Sequence, residues 1–162
     1  MLKLTQFDQA DFNRLISWVE SEELLIQFAG PIFTFPLTTD QLAIYITDKN
    51  RIPFKVIDSE TDEVIGHAEI YFSENKTAKL CRILIGDKTK RGHGLGEEIV
   101  KQLVEFSFNK LGASKIELNV YDWNTSAIKC YKKVGFEANS SKTRKVIFNN
   151  SECTSINMTL KR

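Results

Sequence analysis

The stretch KTKRGHGLGEEIV, from Lys88 to Val100, places three glycines at alternate positions directly before an apolar helical pattern. A helix N-terminus carries unpaired N–H groups and a partial positive charge, so phosphate groups bind there readily. Glycines leave the backbone open to close approach because they have no side chain. The pattern therefore suits a phosphate or pyrophosphate loop, and it suits equally well a tight strand-to-helix turn that binds nothing.

Two common phosphate loops do not fit this stretch. The P-loop requires G-x-x-x-x-G-K followed by Ser or Thr, and the sequence contains no such run. The dinucleotide loop requires G-x-G-x-x-G, and the position of its third glycine is occupied by Glu97. The sequence thus disfavours a nucleotide-binding domain of either type.

Length and composition restrict the class of protein. A chain of 162 residues that is 42% hydrophobic suits one domain with a proper core, and a net charge of +1 argues against a general nucleic-acid binder. Three widely spaced cysteines, Cys81, Cys130 and Cys153, favour neither a disulfide framework nor a metal site. No apolar run has the length of a signal or membrane segment, so we expect a cytoplasmic protein without metal or membrane contact.

The segments around the loop predict a mixed α/β fold. Apolar alternation predicts a strand over Lys79–Ile85, and apolar residues near a 3.6-residue period predict a helix over Leu95–Lys110. A strand over Lys115–Tyr121 and a helix over Asn124–Lys133 follow, and strands alternate irregularly with helices elsewhere. Because the order is not strictly βαβ, we expect a mixed sheet in a single domain spanning residues 1–162.

A second motif, NTSAIKCYKKVGF, extends from Asn124 to Phe136 and helps to interpret the glycine loop. With both motifs, the chain resembles the GNAT superfamily of acetyl-CoA-dependent N-acetyltransferases, most closely the branch with ribosomal-protein N-terminal and aminoglycoside acetyltransferases. That family carries Q/R-x-x-G-x-G/A after its fourth strand, matched here by residues 91–96. About thirty residues later it carries N-x-x-A-x-x-x-Y-x-x-x-G-F, matched by Asn124, Ala127, Tyr131, Gly135 and Phe136.

The resemblance implies a fold and an activity. The fold would be a mostly antiparallel mixed sheet of about six to seven strands flanked by about four helices, splayed between its fourth and fifth strands. The activity would be transfer of acetyl from acetyl-CoA to a primary amine of a small molecule or of a peptide N-terminus, by direct attack in a ternary complex. A non-catalytic acyl-CoA-binding or sensing module on the same fold is the alternative.

The resemblance also implies which residues would bind CoA. The pantetheine arm would run beside Ile83, Leu84 and Ile85, whose apolar character burial alone also explains. Asn124 would contact the arm while capping its helix. Tyr131 would bind beside it and donate a proton to the departing thiolate, or would be only a core tyrosine. The pyrophosphate would lie on backbone N–H groups of the loop, which comprises Arg91, Gly92, His93, Gly94, Leu95 and Gly96.

The general base and the acceptor stay open at this point. Some family members use a glutamate on the fourth strand, but residues 77–82 contain no carboxylate. Glu69, Asp122, Glu22 and Glu23 are candidates, and water relaying the proton is as plausible. A peptide N-terminus, an aminoglycoside-like amine and a small metabolite are all compatible acceptors, nucleic acid is not expected as a partner, and a homodimer is left open.

Overall fold

One eight-stranded sheet organises the molecule, and five helices cover it. The computed structural model describes residues 1–162. The helices are α1 (Phe12–Trp18), α2 (Glu22–Ala29), α3 (Thr39–Tyr45), α4 (Leu95–Asn109) and α5 (Thr125–Val134). The strands are β1 (Leu2–Gln6), β2 (Arg51–Asp58), β3 (Val64–Phe72), β4 (Thr77–Ile85), β5 (Lys115–Tyr121), β6 (Glu137–Ala138), β7 (Arg144–Phe148) and β8 (Ser151–Lys161).

The strand order makes the sheet mixed, as the sequence predicts. The order is β1-β2-β3-β4-β5-β8-β6, with β7 paired to β8, and all pairs are antiparallel except β4 with β5. The counts exceed the expected six to seven strands and four helices. The two-residue β6 adds a strand, and three separate short helices precede β2. No helix has the length and apolar character to cross a membrane.

The sheet opens between β4 and β5, which confirms the expected splay. The two strands pair only from Thr77 to Leu80 of β4 and from Lys115 to Leu118 of β5. Beyond that point β5 stays paired with β8, while β4 continues along β3. The distal half of β4, residues 81–85, therefore has a backbone edge that faces a gap instead of a strand.

A bulge in β4 turns the strand at the gap. Between His67 and Glu69, β3 advances two residues while β4 advances three, from Cys81 to Leu84, and Arg82 has a φ of 50°. The extra residue reverses the faces of the strand. Leu80 consequently packs in the core beneath α4, whereas Leu84 packs in the second core formed by α1, α2 and α3.

The two cores hold the helices on opposite sides of the sheet. Ile99 and Leu103 of α4 are completely buried against strand residues such as Ile116, and their four-residue spacing places them on one helix face. The N-terminal helices begin at capped positions, where the side chains of Ser21 and Thr38 accept hydrogen bonds from backbone N–H groups three residues on. The helices thereby wall both sides of the gap.

Candidate active site

The glycine loop opens into a cavity at the sheet gap. This loop cavity has a volume of about 490 Å³ and lies between β4, β5 and the N-terminal ends of α4 and α5. It brings together most of the residues expected to bind the cofactor, namely Ile83, Leu84, Ile85, Arg91, Gly92, Gly94, Gly96, Asn124 and Tyr131. His93 and Leu95 do not line it, so the expectation for those two concerns only their backbone N–H groups.

The loop backbone is free to bind an anion. No N–H group from Gly92 to Glu97 donates to another group of the protein. Gly92 and Gly94 have φ angles of +84° and +82°, and a Cβ at either would meet no atom within 4 Å. The positive φ angles favour glycine, and the open space above them leaves room for a ligand.

Arg91 fixes the start of the loop and offers a further donor. Its Nε donates to the carbonyl of Ile85 over 2.9 Å, and its Nη2 is buried without any partner. A buried guanidinium nitrogen is costly to leave unpaired, so an anionic acceptor beside it is favoured. The open N–H groups and this orphaned donor fit the diphosphate of acetyl-CoA.

The junction between β4 and the loop is also anchored from the other side. Gly86 lies under the indole of Trp18, so a Cβ at this position would come within 2.1 Å of the ring. No side chain fits there without displacing the ring. Helix α1 is thereby packed directly against the entrance of the loop.

Helix α5 adds positive charge beside the loop to that of Arg91. Lys88 and Lys90, which precede the glycines, turn away to pair with Glu20 and Glu63. Lys129 and Lys133 line the loop cavity, on one face of α5 at a spacing of four residues, and the Nζ of Lys133 lies 3.9 Å from a carboxylate oxygen of Glu97. Their spacing was visible in the sequence, but their approach to the loop depends on how α4 and α5 pack.

Asn124 and Tyr131 lie two helical turns apart on α5 and both reach the cavity. The Asn124 side chain caps the helix, accepting from the N–H of Ala127 over 3.4 Å. The Tyr131 ring packs edge-on to Phe136, with centroids 6.1 Å apart, while its hydroxyl bonds to no protein group. Burial raises the pKa of Tyr131 above its ordinary value, so the hydroxyl keeps its proton at neutral pH.

A second cavity meets the first at the gap. This basic cavity has a volume of about 390 Å³ and takes its name from the four cationic side chains in its wall, Arg51, Lys79, Arg82 and Arg144. The two cavities share Gln27, Phe28, Leu80, Cys81, Arg82, Asn119 and Val120. A molecule in one cavity can therefore touch a molecule in the other.

Glu69, a candidate base, is committed to a buried ion-pair network. It is fully buried and accepts from Arg82 through Nε at 2.6 Å and Nη2 at 2.8 Å, and from Arg51 through Nη1 at 3.0 Å. The Tyr45 hydroxyl also donates to it. With its oxygens occupied, Glu69 holds the bulge residue Arg82 in place and is not free to take a proton from an amine.

The other candidate bases lie outside the gap. Asp122, Glu22 and Glu23 line neither cavity, and Asp122 accepts from the N–H of Thr154 over 3.2 Å. His67 is also absent from both walls, and burial lowers its pKa to about 3, which keeps it neutral. Burial raises the pKa of Cys81 to about 11, so this residue at the gap is a thiol and not a nucleophilic thiolate.

Comparison with known proteins identifies the class. Residues 16–136 match the model of the acetyltransferase (GNAT) family. The chain belongs to this family, and it is an N-acetyltransferase that uses acetyl-CoA. No group of His, Cys, Asp and Glu side chains is arranged to hold a metal ion.

Individual relatives agree on the class but differ in what they are named for. An N-acetyltransferase 9-like protein from Nematostella vectensis is 22% identical over 144 residues, which cover 82% of this chain and 73% of that protein. An aminoglycoside N(6')-acetyltransferase type 1 from Klebsiella pneumoniae is 38% identical over 60 residues, 37% of this chain and 30% of that protein. The structure of a spermidine N-acetyltransferase from Vibrio cholerae with CoA and spermine has the same fold, with a TM-score of 0.82, 20% identity and coverage of 99% and 95% of the two chains.

Proposed function

We propose that acetyl transfer takes place in the gap between β4 and β5, with acetyl-CoA in the loop cavity and a primary amine in the basic cavity. The observation that carries this proposal is the meeting of the two cavities at one point, where they share residues of both strands. Neither cavity alone would bring a thioester and an amine into contact. The proposal therefore requires a ternary complex with direct attack.

The loop cavity suggests how CoA would lie. The diphosphate would accept hydrogen bonds from the free N–H groups of residues 92–96 and from the unpartnered Nη2 of the Arg91 side chain. The pantetheine arm would run along Ile83–Ile85, whose edge toward β5 is unpaired. Asn124 would contact the arm, and Lys129 and Lys133 would add positive charge near the phosphates.

Tyr131 would assist the departure of the thiolate. The amine lone pair attacks the thioester carbonyl carbon, a C–N bond forms, and the C–S bond breaks. The leaving sulfur would take the proton of the Tyr131 hydroxyl, which is neutral and has no protein partner. Tyr131 would then recover a proton from solvent, and the nitrogen of the new C–N bond, which is positively charged after the attack, would release its extra proton to solvent to give the neutral amide.

The amine would lose its proton to water and not to a side chain. No carboxylate or imidazole lines the basic cavity, and Glu97, the one carboxylate of the loop cavity, pairs with Lys101 over 2.7 Å. The cationic wall supplies a compensating effect. Nearby positive charges disfavour an ammonium ion and so favour the neutral amine that attacks.

The comparisons leave the acceptor undecided between polyamine, aminoglycoside and protein amines, since their names span these classes. Three unpaired cysteines suit a reducing compartment such as the cytoplasm. The experiment that tests the proposed function combines calorimetric titration with CoA and initial rates of thiol release with a panel of amines. We expect CoA binding and intersecting double-reciprocal plots.

Three outcomes would contradict the proposed function. Failure to bind CoA would remove the loop assignment. Binding without transfer to any amine would identify a CoA-binding module on the same fold. Parallel kinetic lines, together with an acetylated cysteine in the mass spectrum, would replace direct attack with a covalent intermediate.

A further inference from the structure

The charge of the basic cavity limits which amines it accepts. Its wall contains four cations and no carboxylate. Two carboxylates lie close behind the wall: Glu69 pairs with Arg51 and Arg82, and Asp48 pairs with Arg51 over 3.0 Å. Four positive charges less these two leave an excess of two, which belongs to Lys79 and Arg144.

Lys79 is distinctive among the lysines of this protein. Four lysines are half-buried, and three of them, Lys55, Lys90 and Lys115, pair with a carboxylate. Lys79 is the fourth and has no acidic partner; its Nζ lies 3.2 Å from the side-chain amide of Asn119. A half-buried ammonium is stabilised by a carboxylate partner. No residue in the wall of this cavity supplies such a partner to Lys79.

Arg144 faces the same space from a different part of the sheet. It lies on β7, makes no ion pair, and lines the basic cavity together with Tyr121 of β5. Lys79 and Arg144 are 65 positions apart in the chain. They line the same cavity because of the fold, and not because they belong to one local run of basic residues. Arginine presents paired N–H donors that match carboxylate and phosphate oxygens, and lysine adds a compact charge.

Resting on the proposed function, we infer that the acceptor is a small primary amine that carries an anionic group, a carboxylate or a phosphate, on the same molecule. The anion lies between Lys79 and Arg144, and the amine points to the gap. A volume of about 390 Å³ suits a small molecule. Polyamines and aminoglycosides carry several ammonium groups, and a wall with an excess of two positive charges and no lining carboxylate repels them.

The test compares amines that differ only in charge. The probes are 4-aminobutyrate, its neutral amide, 1,4-diaminobutane and 3-aminopropyl phosphate, with alanine and alaninamide as a second geometry. Rates are measured at saturating acetyl-CoA, and binding to the protein–CoA complex is measured by calorimetry. We expect the anionic amines to exceed their neutral counterparts at least about tenfold in kcat/KM, with the diamine lowest, because charge-assisted hydrogen bonds are the strong ones. The carboxylate and phosphate probes separate the two sources of the anion.

Two variants and a matched control locate the effect. Lys79→Gln and Arg144→Gln should each raise KM for the preferred anionic amine about tenfold while leaving KM for the neutral amide within about twofold. Lys145→Gln alters the next residue along, which is exposed like Arg144 but does not line the cavity, and should change neither value. Circular dichroism checks that all three fold.

The outcomes distinguish this inference from the proposed function. Preference for the diamine, or an anion advantage that survives in the Lys79→Gln/Arg144→Gln double variant, overturns the inference while acetyl transfer stands. If no probe is acetylated, tighter binding of the diamine than of 4-aminobutyrate to the CoA complex overturns it, and the reverse order supports it. If neither binds, the inference is wrong. Loss of CoA binding in the unmodified protein overturns the proposed function itself.

Discussion

At the scale of single residues, Tyr131 combines a packed ring with a free hydroxyl. The change Tyr131→Phe preserves the contact with Phe136 and removes only the proton donor. General acid assistance is typically worth ~10²–10⁴ in rate, and a thiolate is a fair leaving group, so we expect kcat to fall about tenfold to a hundredfold. CoA affinity, measured by calorimetry, should stay unchanged. A variant with normal kcat, when chemistry limits the rate, would leave Tyr131 a packing residue.

His67 should make the protein sensitive to mild acid. Its pKa is about 3 in the folded protein, against 6.5 when unfolded, because burial disfavours the charged ring. Below pH 6.5 the unfolded chain binds a proton that the folded chain does not, so stability is complete above that pH and falls as the pH drops toward 3. Between pH 7.5 and pH 5 the loss should be about 2 kcal/mol.

Denaturant unfolding at the two pH values measures this loss. The variant His67→Gln has no titrating ring and should lose most of the difference between pH 7.5 and pH 5, whatever its absolute stability. Asp11 does not interfere, because its pKa lies below the ordinary carboxyl value and outside this interval. Equal acid sensitivity in both proteins would show that His67 is not the group responsible.

The residues that meet at the candidate site were predictable where their selection depends on spacing along the chain. The loop glycines, Asn124 and Tyr131 were identified from short motifs, and all of them reach one cavity. Glu69 was a plausible base from sequence alone, because nothing in its neighbourhood reveals that Arg51, Arg82 and Tyr45 converge on it. The placement of Lys79 and Arg144 in the wall of one cavity was invisible for the same reason, since it depends on the order of strands in the sheet.

At the scale of elements, glycines at the two ends of α4 allow an effect on CoA binding to be distinguished from an effect on stability. Gly94 at the start of α4 and Gly112 after its end both have positive φ angles, +82° and +65°, with open space around a Cβ. Gly94→Ala and Gly112→Ala should each lower the free energy of unfolding by about 1–2 kcal/mol, because an L-residue is strained there.

Only Gly94→Ala should weaken CoA binding, by about tenfold or more, since only Gly94 lines the loop cavity. Calorimetry at equal protein concentration compares the two variants. Unchanged CoA affinity in folded Gly94→Ala protein would remove the diphosphate from this loop. A matching loss in Gly112→Ala would attribute the effect to lower stability and not to the site.

The element that sequence patterns describe least well is β4. Leu80 and Leu84 are four positions apart, and in a regular strand an even difference in position places both side chains on one face. The bulge at Arg82 puts them in different cores. The bulge is held by a contact between strands, because Glu69 on β3 forms an ion pair with the guanidinium of Arg82 on β4. An alternating pattern cannot signal such a partner.

At the scale of the whole molecule, the sheet has an unpaired strand edge at the gap between β4 and β5. The edge of residues 81–85 faces the gap, and the proposed pantetheine arm would occupy it like an added strand. We expect amide hydrogen exchange in this segment to slow at least about tenfold when CoA saturates the protein, because unpaired amides exchange readily. Exchange in β8, already paired with β5, serves as the internal reference. Protection confined to the loop, with none in residues 81–85, would place the arm elsewhere.

The packing of Trp18 over Gly86 gives the protein a built-in optical probe. The indole of α1 lies on the last residue before the loop, and the second tryptophan, Trp123, is stacked on Tyr121 with ring centroids 4.4 Å apart. Emission from Trp18 thus reports the surroundings of the loop entrance. The variant Trp18→Phe leaves Trp123 as the only indole emitter and provides the blank, so loading of the protein can be followed in real time by stopped-flow fluorescence without any label.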